Sequence, residues 1–190
     1  MLLVGRSLIM IDKRVYKTNI IITNAFKELI ATKRIEKITI KELTDLSMIN
    51  KTTFYRHYED IYALVDHIEN ELVDKYVAGL DDILTIFTDP VQYVNVITST
   101  FRSLQPLSTH LIRHARKEVF FRKIADANLN EIYRLRPDLK GDDKFKITFE
   151  YLNGGLSSIG LDYLNTADKE SEAHRTIANI IKNTLVEYSY

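Results

Sequence analysis

Residues 38–58 read ITIKELTDLSMINKTTFYRHY, and the predicted structure of the amino-terminal part of the chain follows from these residues. Thr39 stands before an apolar pattern and Glu42 follows three residues later, which is the spacing of a capping box. A short helix is therefore expected to begin near Ile40. The apolar pattern then breaks, and Asn50 is a residue type that caps a following helix. The stretch predicts two short helices joined by a turn.

The second predicted helix is polar except for Phe54, which we expect to be its core anchor. Such a helix pair can place its second helix in a DNA major groove, which is about 12 Å wide. Two polar helices joined by a turn can also occur without binding DNA. The side chains able to bond with phosphates or base edges are Lys51, Thr52, Thr53, Tyr55, Arg56 and His57.

Residues 38–64, ITIKELTDLSMINKTTFYRHYEDIYAL, resemble the DNA-binding signature of the TetR family of transcriptional regulators. The resemblance includes the T-x-F-Y-x-H-Y segment and extends over about residues 13–80. It implies an all-α fold of about nine helices, with an N-terminal three-helix bundle that holds the helix-turn-helix and a larger C-terminal helical domain. The carboxy-terminal domains of this family diverge widely, so the resemblance there is one of architecture.

The same resemblance implies which residues bind DNA. Thr39 and Lys41 would lie near the DNA backbone at the start of the second helix. The recognition helix would present Asn50, Lys51, Thr52 and Thr53. Tyr55 and His57 would bind phosphate or the groove edge.

Two positions depart from the family pattern. Ser47 and Met48 stand where the family usually has an Ala-Gly pair, and methionine adopts a left-handed backbone less readily than glycine. Ile61 replaces a lysine that usually contacts phosphate early in the fourth helix. These departures predict a modified turn and one fewer ion pair with DNA.

Composition favours helices and excludes cysteine chemistry. The 190 residues include 6 Gly, 3 Pro and no Cys, so disulfides and thiolate sites are excluded. The formal net charge is zero, but residues 1–60 hold 11 basic against 7 acidic side chains. The positive share therefore lies with the predicted DNA-binding region, which supports DNA binding weakly.

The sequence predicts two domains. Residues 1–60 form the DNA-binding domain, with residues 1–12 as a disordered leader and Met10 as a natural start. Residues 61–190 form a helical domain for ligand binding and dimerisation. No run of about 18 apolar residues occurs, so we expect no membrane span. The lack of cysteine fits a reducing cytoplasm, which is the location we expect. Apolar spacing and helix-start residues, among them Asp89 and Pro90, predict further helices over residues 13–32, 61–80, 91–104, 107–115, 119–136, 144–165 and 169–188. We expect Val119 and Ile180 on the apolar faces of their helices and a polar loop over residues 138–143.

Small residues lie in the middle of the predicted helix 144–165. Each glycine there costs about 1 kcal/mol relative to alanine unless close packing recovers it. We interpret them as a close helix crossing in a homodimer formed through the last two helices, with packing inside one subunit as the alternative. A twofold dimer would recognise an approximately palindromic operator. The residues are Gly154, Gly155, Ser157, Ser158 and Gly160.

No other chemistry has a specific signature. His110, His114 and Glu118 have a spacing that could gather a metal ion, but isolated surface histidines are commoner than sites, so we expect no metal. We expect no enzyme activity and no cofactor. Aromatics at helical spacing are more often core than ligand cage, although a pocket between the middle helices is compatible with them.

Two functions remain open. The first is a transcription regulator, in this family most often a repressor, whose operator binding is modulated by a small molecule in the C-terminal domain. The second is a DNA-bound regulator or coactivator whose C-terminal domain binds a partner protein and takes no small-molecule effector. A closed apolar cavity favours the first, and a filled core with an exposed apolar patch favours the second.

Overall fold

A computed structural model of the chain describes residues 13–80, 82–105, 107–111, 116–164 and 172–189. Across these ranges the chain forms ten α-helices and no β-strand, which confirms the predicted all-α fold. The expectations for residues 1–12 lie outside the described residues. The helices are α1 (Lys13–Ile30), α2 (Ile40–Leu46), α3 (Lys51–His57), α4 (Ile61–Ala78), α5 (Thr85–Thr88), α6 (Pro90–Ser103), α7 (Leu107–Leu111), α8 (Lys117–Leu135), α9 (Asp143–Leu164) and α10 (Glu172–Thr184).

The chain divides into two compact units, Met1–Ile68 and Glu69–Tyr190. The boundary falls inside α4, whereas the division drawn from the sequence at residues 60 and 61 coincides with the start of that helix. Short 3-10 turns occur at Ile35–Lys37, Pro137–Leu139 and Val186–Tyr188. No helix in the described ranges is long and apolar enough to cross a bilayer.

In the N-terminal unit α1, α2 and α3 pack against one another. The buried face of α1 follows the predicted spacing, because Ile22 and Phe26 are fully buried and Ile30 is nearly so. Leu43 from α2 and Phe54 from α3 complete the centre, each with 0% exposure. Phe54 is thus the core anchor that the sequence predicted. Leu46, which was expected on the same face as Leu43, is 39% exposed because it stands at the end of α2.

The helix starts of this unit are fixed by local hydrogen bonds. Thr39 and Glu42 form the predicted capping box: the Glu42 N–H donates to the Thr39 hydroxyl (3.2 Å), and the Thr39 N–H donates to the Glu42 carboxylate (3.1 Å). Asn50 caps α3 by accepting from the Thr53 N–H at 2.7 Å. Because these contacts span three residues, they could be predicted from sequence alone.

The turn between α2 and α3 has a left-handed residue. Met48 has φ +53°, which is the left-handed backbone conformation that methionine was predicted to adopt less readily than glycine. Its side chain is 92% exposed. A left-handed backbone costs a non-glycine residue about 1–2 kcal/mol.

Replacing Met48 by glycine should therefore stabilise the N-terminal unit. Strain would be relieved and no packing would be lost, while the greater freedom of unfolded glycine would offset part of the gain. We expect a net increase of about 0.5 kcal/mol in the free energy of unfolding, measured by urea denaturation. Met48→Val, which is β-branched, should instead reduce stability.

The C-terminal unit is organised around helices that are distant in sequence. α10 packs against α6, α9 and α5, and α8 packs against α9. Phe145 of α9 is fully buried and lies in an aromatic cluster, with ring centroids 5.0 Å from Tyr188, 5.9 Å from Phe149 and 6.1 Å from Phe87. These rings hold α5, α9 and the last 3-10 turn in one core.

Two apolar residues predicted for the C-terminal core are exposed instead. Val119 near the start of α8 is 43% exposed, and Ile180 of α10 is 49% exposed. On α10 the buried side is set by Ile177 and Ile181, so Ile180 points away from that side. The loop predicted over residues 138–143 begins within a 3-10 turn at Pro137–Leu139.

A buried carboxylate lies at the start of the C-terminal unit. Glu69 is 0% exposed and accepts hydrogen bonds from Arg116 Nε (2.7 Å) and Nη2 (3.1 Å) and from Lys123 Nζ (2.8 Å). The two cationic side chains keep 17% and 24% of their surface exposed. This ion cluster fixes α4 to Lys123 of α8 and to Arg116, the residue just before α8.

Candidate functional site

The helix-turn-helix places one apolar and one polar face on α3. Phe54 is fully buried, and its ring lies 5.9 Å from that of Tyr58, which is also buried. On the other side Lys51 and Thr52 are exposed, and Tyr55 is 54% exposed. Because the apolar anchor holds α3 in the bundle, its polar side chains are presented at the surface of this unit.

Two of the predicted DNA-binding residues already have structural roles. Asn50 caps α3 through its side-chain oxygen, and Thr39 caps α2 through its hydroxyl. Both residues are exposed. A contact from either side chain to DNA would therefore have to coexist with, or replace, a bond that satisfies a helix amide.

His57 connects α3 to α1. Its Nδ1 lies 2.5 Å from Asn19 Oδ1, so the ring donates this proton to the amide oxygen. Burial, and secondly the positive charge of Arg56, lowers the pKa of His57. The ring is therefore neutral at neutral pH, and its bond to Asn19 fixes the carboxyl end of α3. Sequence reasoning missed Asn19 because nothing local relates it to a residue 38 positions later.

A polar cleft of about 660 Å³ lies between the start of α1, the turn before α3, and the side of α3 that carries Thr53, Arg56 and His57. Three of the predicted DNA-binding residues line this cleft, namely Asn50, Thr53 and His57. The other five do not line it: Thr39, Lys41, Lys51, Thr52 and Tyr55. Arg14 comes from the basic amino-terminal end of α1, and the position of these basic residues before the helix-turn-helix is the sequence feature that indicates its place in the cleft. The lining residues are Arg14, Val15, Thr18, Met48, Ile49, Asn50, Thr53, Arg56 and His57.

The capping box also predicts acid sensitivity. Hydrogen bonds from Lys33, then from the Thr39 N–H and hydroxyl, lower the pKa of Glu42 from 4.5 to about 2. Because the folded pKa lies below the unfolded one, the ionised carboxylate stabilises the fold above about pH 4.5, and this stabilisation is lost as the pH falls towards 2.

We therefore expect the urea midpoint of the N-terminal unit to fall across this pH window, and Glu42→Gln to show a flatter dependence. Circular dichroism at a series of pH values measures both. Glu36→Gln, which changes an exposed glutamate in the same unit, serves as the control. The assignment fails if Glu42→Gln keeps the acid sensitivity of the wild-type protein.

A second exposed surface lies on the C-terminal unit, where α9 and α10 form an apolar groove of about 510 Å³. Tyr151 is 78% exposed and Ile180 is 49% exposed. A Cβ atom built on Gly154 or Gly155 would meet nothing within 4 Å among the described residues. Within the part of the chain that the structure describes, no side chain or backbone packs closely on these two glycines. The groove is lined by Tyr151, Leu152, Gly154, Gly155, Leu156, Ile159, Ile177 and Ile180.

In the described part of the chain, no group of three His, Asp or Glu side chains lies close enough together to hold a metal ion. Of the histidine pair considered above, His114 lies outside the described residues.

Comparison with known proteins gives one partial similarity. The sequence matches no protein-family model. Over 98 residues it is 29% identical to U-box domain-containing protein 2 from Arabidopsis thaliana. The aligned residues are 52% of this chain and 14% of that protein, so the chain spans about a seventh of the length of the relative. A match of this extent does not assign the chain to a family.

Proposed function

We propose that this chain is a sequence-specific DNA-binding transcription regulator of the TetR type, which acts in the cytoplasm as a homodimeric repressor. The observation that carries the proposal is α3, which is anchored by the buried Phe54 and presents Lys51, Thr52 and Tyr55 at the surface. Exposed hydroxyl and ammonium groups on a helix-turn-helix are the groups that bind phosphates and base edges. The proposal involves no catalytic step.

The dimer is the second part of the proposal. Monomeric proteins rarely leave a contiguous apolar groove exposed, and the groove between α9 and α10 includes two glycines that would let another backbone approach closely. In the proposed dimer, α9 and α10 of a second copy fill this groove. The twofold axis of that dimer would also relate the two recognition helices. Two recognition helices about 34 Å apart would then meet successive turns of one DNA face.

A small-molecule effector in the C-terminal unit is the third part. An effector weakens operator binding only if it prefers the conformation that does not bind DNA, typically by about 1–3 kcal/mol. α4 continues from the N-terminal into the C-terminal unit and would transmit this preference.

The groove also favours a second candidate function. An exposed apolar surface can bind a partner protein instead of a second copy, which would suit a DNA-bound regulator or coactivator without a small-molecule effector. Sedimentation of the purified protein separates the candidates. A dimer at micromolar concentration supports self-association, whereas a monomer that still binds duplex DNA supports the partner-protein function.

The experiment that tests DNA recognition is selection of bound sequences from random duplex DNA. We expect an approximately palindromic motif with half-sites one helical turn apart. Enrichment of no motif, with no retention of duplex DNA at low salt, would contradict the proposal.

Two substitutions on α3 should weaken binding in different ways. Lys51→Ala should lower affinity for all duplexes and reduce the slope of log affinity against log salt by about 1 for each recognition helix, because it removes one phosphate contact. Tyr55→Phe should lower affinity and leave the slope unchanged. Fluorescence anisotropy over a salt series measures both effects.

The matched control is Lys140→Ala, which removes an exposed lysine from a turn of the C-terminal unit. It should change neither affinity nor slope. Wild-type affinity in both α3 variants would show that this face does not contact DNA.

A further inference from the structure

The C-terminal unit contains a small, partly open cavity of about 40 Å³. Side chains from α4, α6, α8 and α9 line it. The rings of Tyr76 and Tyr93, each at least 98% buried, form part of its wall, and Phe101 and Phe121 form another part. The cavity shares Leu156 with the groove between α9 and α10, and it shares no residue with the cleft beside α3.

One lining side chain has an unmet hydrogen-bonding group. Asn128 is 2% exposed, and its Nδ2 donates to the Tyr76 hydroxyl at 3.2 Å. Its Oδ1 is buried and has no hydrogen-bond partner among the described residues. Turning the amide by 180° would pair the oxygen with Tyr76 and leave the N–H unmet. In either orientation Asn128 needs one more partner, and a buried polar group without one destabilises the fold.

The other polar side chains at the cavity have already used donors. Asn153 donates to the Phe149 carbonyl (2.9 Å), and the Ser157 hydroxyl donates to the Gly154 carbonyl (2.9 Å). Both partners belong to their own helix, α9. Both side chains still offer an oxygen acceptor, and Asn153 keeps a second N–H, so they suit a guest whose hydroxyl can both donate and accept.

The cavity favours an uncharged guest. None of the described residues that line it carries a charge at neutral pH. Burial raises the pKa of Tyr76 and of Tyr93, so both phenols stay protonated. An ion would lose its hydration without gaining a counter-charge.

The volume limits the size of the guest. A water molecule needs about 10–15 Å³ of such space, so the cavity encloses only a few non-hydrogen atoms, and any further atoms of the guest extend through its open side. A single hydroxyl group can satisfy both polar groups at once, since it can donate to Asn128 Oδ1 and accept the phenol proton of Tyr76.

We propose that this cavity binds the effector, and that the effector is a small uncharged alcohol or diol whose hydroxyl bonds Asn128 and Tyr76. The assignment of an effector role rests on the proposed function. The assignment of the binding site rests on the cavity alone.

The test uses the full-length protein and propane-1,2-diol as the probe. Methyl NMR signals of Ile97, Ile124 and Leu156, which line the cavity, should shift saturably with the weak, millimolar affinity expected of so small a ligand. Asn128→Leu should weaken binding at least tenfold. Tyr76→Phe keeps the ring and should weaken binding as well, which covers the case in which the first variant does not fold.

Asn95→Leu is the matched control. Asn95 also has a buried Oδ1 with no partner among the described residues, but it does not line the cavity. This variant should bind the diol as the wild type does.

Chemical specificity is tested with propylammonium and propionate, which should not compete. The assignment is overturned if the diol causes no saturable shift, if both cavity variants bind like wild type, or if propylammonium binds more tightly. It is also overturned if water in the cavity is never displaced by the diol.

Separate measurements with DNA distinguish the two proposals. Asn128-dependent loss of DNA affinity on adding the diol supports the effector role, and unchanged DNA affinity overturns that role. Absence of diol binding in a protein that binds DNA overturns only the ligand assignment. Absence of DNA binding without diol, in a protein that binds the diol, overturns the proposed function and leaves the ligand site in place.

Discussion

Replacing Gly155 by leucine is expected to convert the protein into a folded monomer. A Cβ atom at this position meets nothing within 4 Å among the described residues, and Gly155 is exposed at the groove, so we expect one subunit to accept the side chain. Leucine also favours a helix interior by up to about 1 kcal/mol relative to glycine. In the proposed dimer the same side chain would fill the space that the partner helix occupies. We expect dimer affinity to fall at least a hundredfold while the subunit becomes no less stable.

Analytical ultracentrifugation measures the first effect and urea denaturation below the dimer dissociation constant measures the second. Asn130→Leu adds the same side chain to an exposed position of α8 and should leave the association unchanged. A Gly155→Leu variant that dimerises like wild type would mean that the groove is not the dimer interface. Loss of operator binding should accompany loss of the dimer, since a single helix-turn-helix retains only half of the contacts.

Removal of the Glu69 carboxylate is expected to be the most destabilising substitution considered for the C-terminal unit. Glu69→Ala would leave the positive charges of Arg116 and Lys123 close together without the carboxylate they share. Breaking a buried ion pair from one side typically costs about 3–5 kcal/mol. Because both cations keep some exposure to water, we expect a loss near the lower limit, about 3 kcal/mol, in the free energy of unfolding.

The exposed pair of Glu131 and Arg134 provides the comparison. Their side chains are 28% and 65% exposed, and they lie one turn apart on α8. Glu131→Ala should cost no more than about 0.5 kcal/mol. Thermal and urea denaturation of both variants would test the difference. Equal losses would show that burial of the carboxylate does not determine its contribution.

Features set by neighbouring residues could be predicted from the sequence. The capping box of Thr39 and Glu42 and the cap at Asn50 each depend on a spacing of three residues. Asp89 and Pro90 begin α6 as predicted, with Asp89 Oδ1 accepting from the Gln92 N–H. In each case one short segment both encodes and forms the contact.

Features that join distant segments could not be predicted. Glu69 meets its partners 47 and 54 positions later, and Asn19 meets His57 38 positions later. The cavity at Asn128 forms only where four helices converge. Apolar spacing also left the face of α10 ambiguous, since Ile180 and Ile181 are adjacent and only tertiary packing decides that Ile181 is the buried one. Helix α5, with four residues, is too short to give a periodic signal.

The pairing of α6 with α10 affects the order in which the protein can fold during synthesis. α10 is made about 80 residues after α6, yet it packs against α5, α6 and α9. The contacts of the N-terminal unit are complete once Ile68 has been made. On the ribosome this unit can therefore fold early, whereas the apolar faces of α5, α6 and α9 stay uncovered until α10 has been made. That interval is the period in which the nascent chain is most exposed to aggregation and to chaperones.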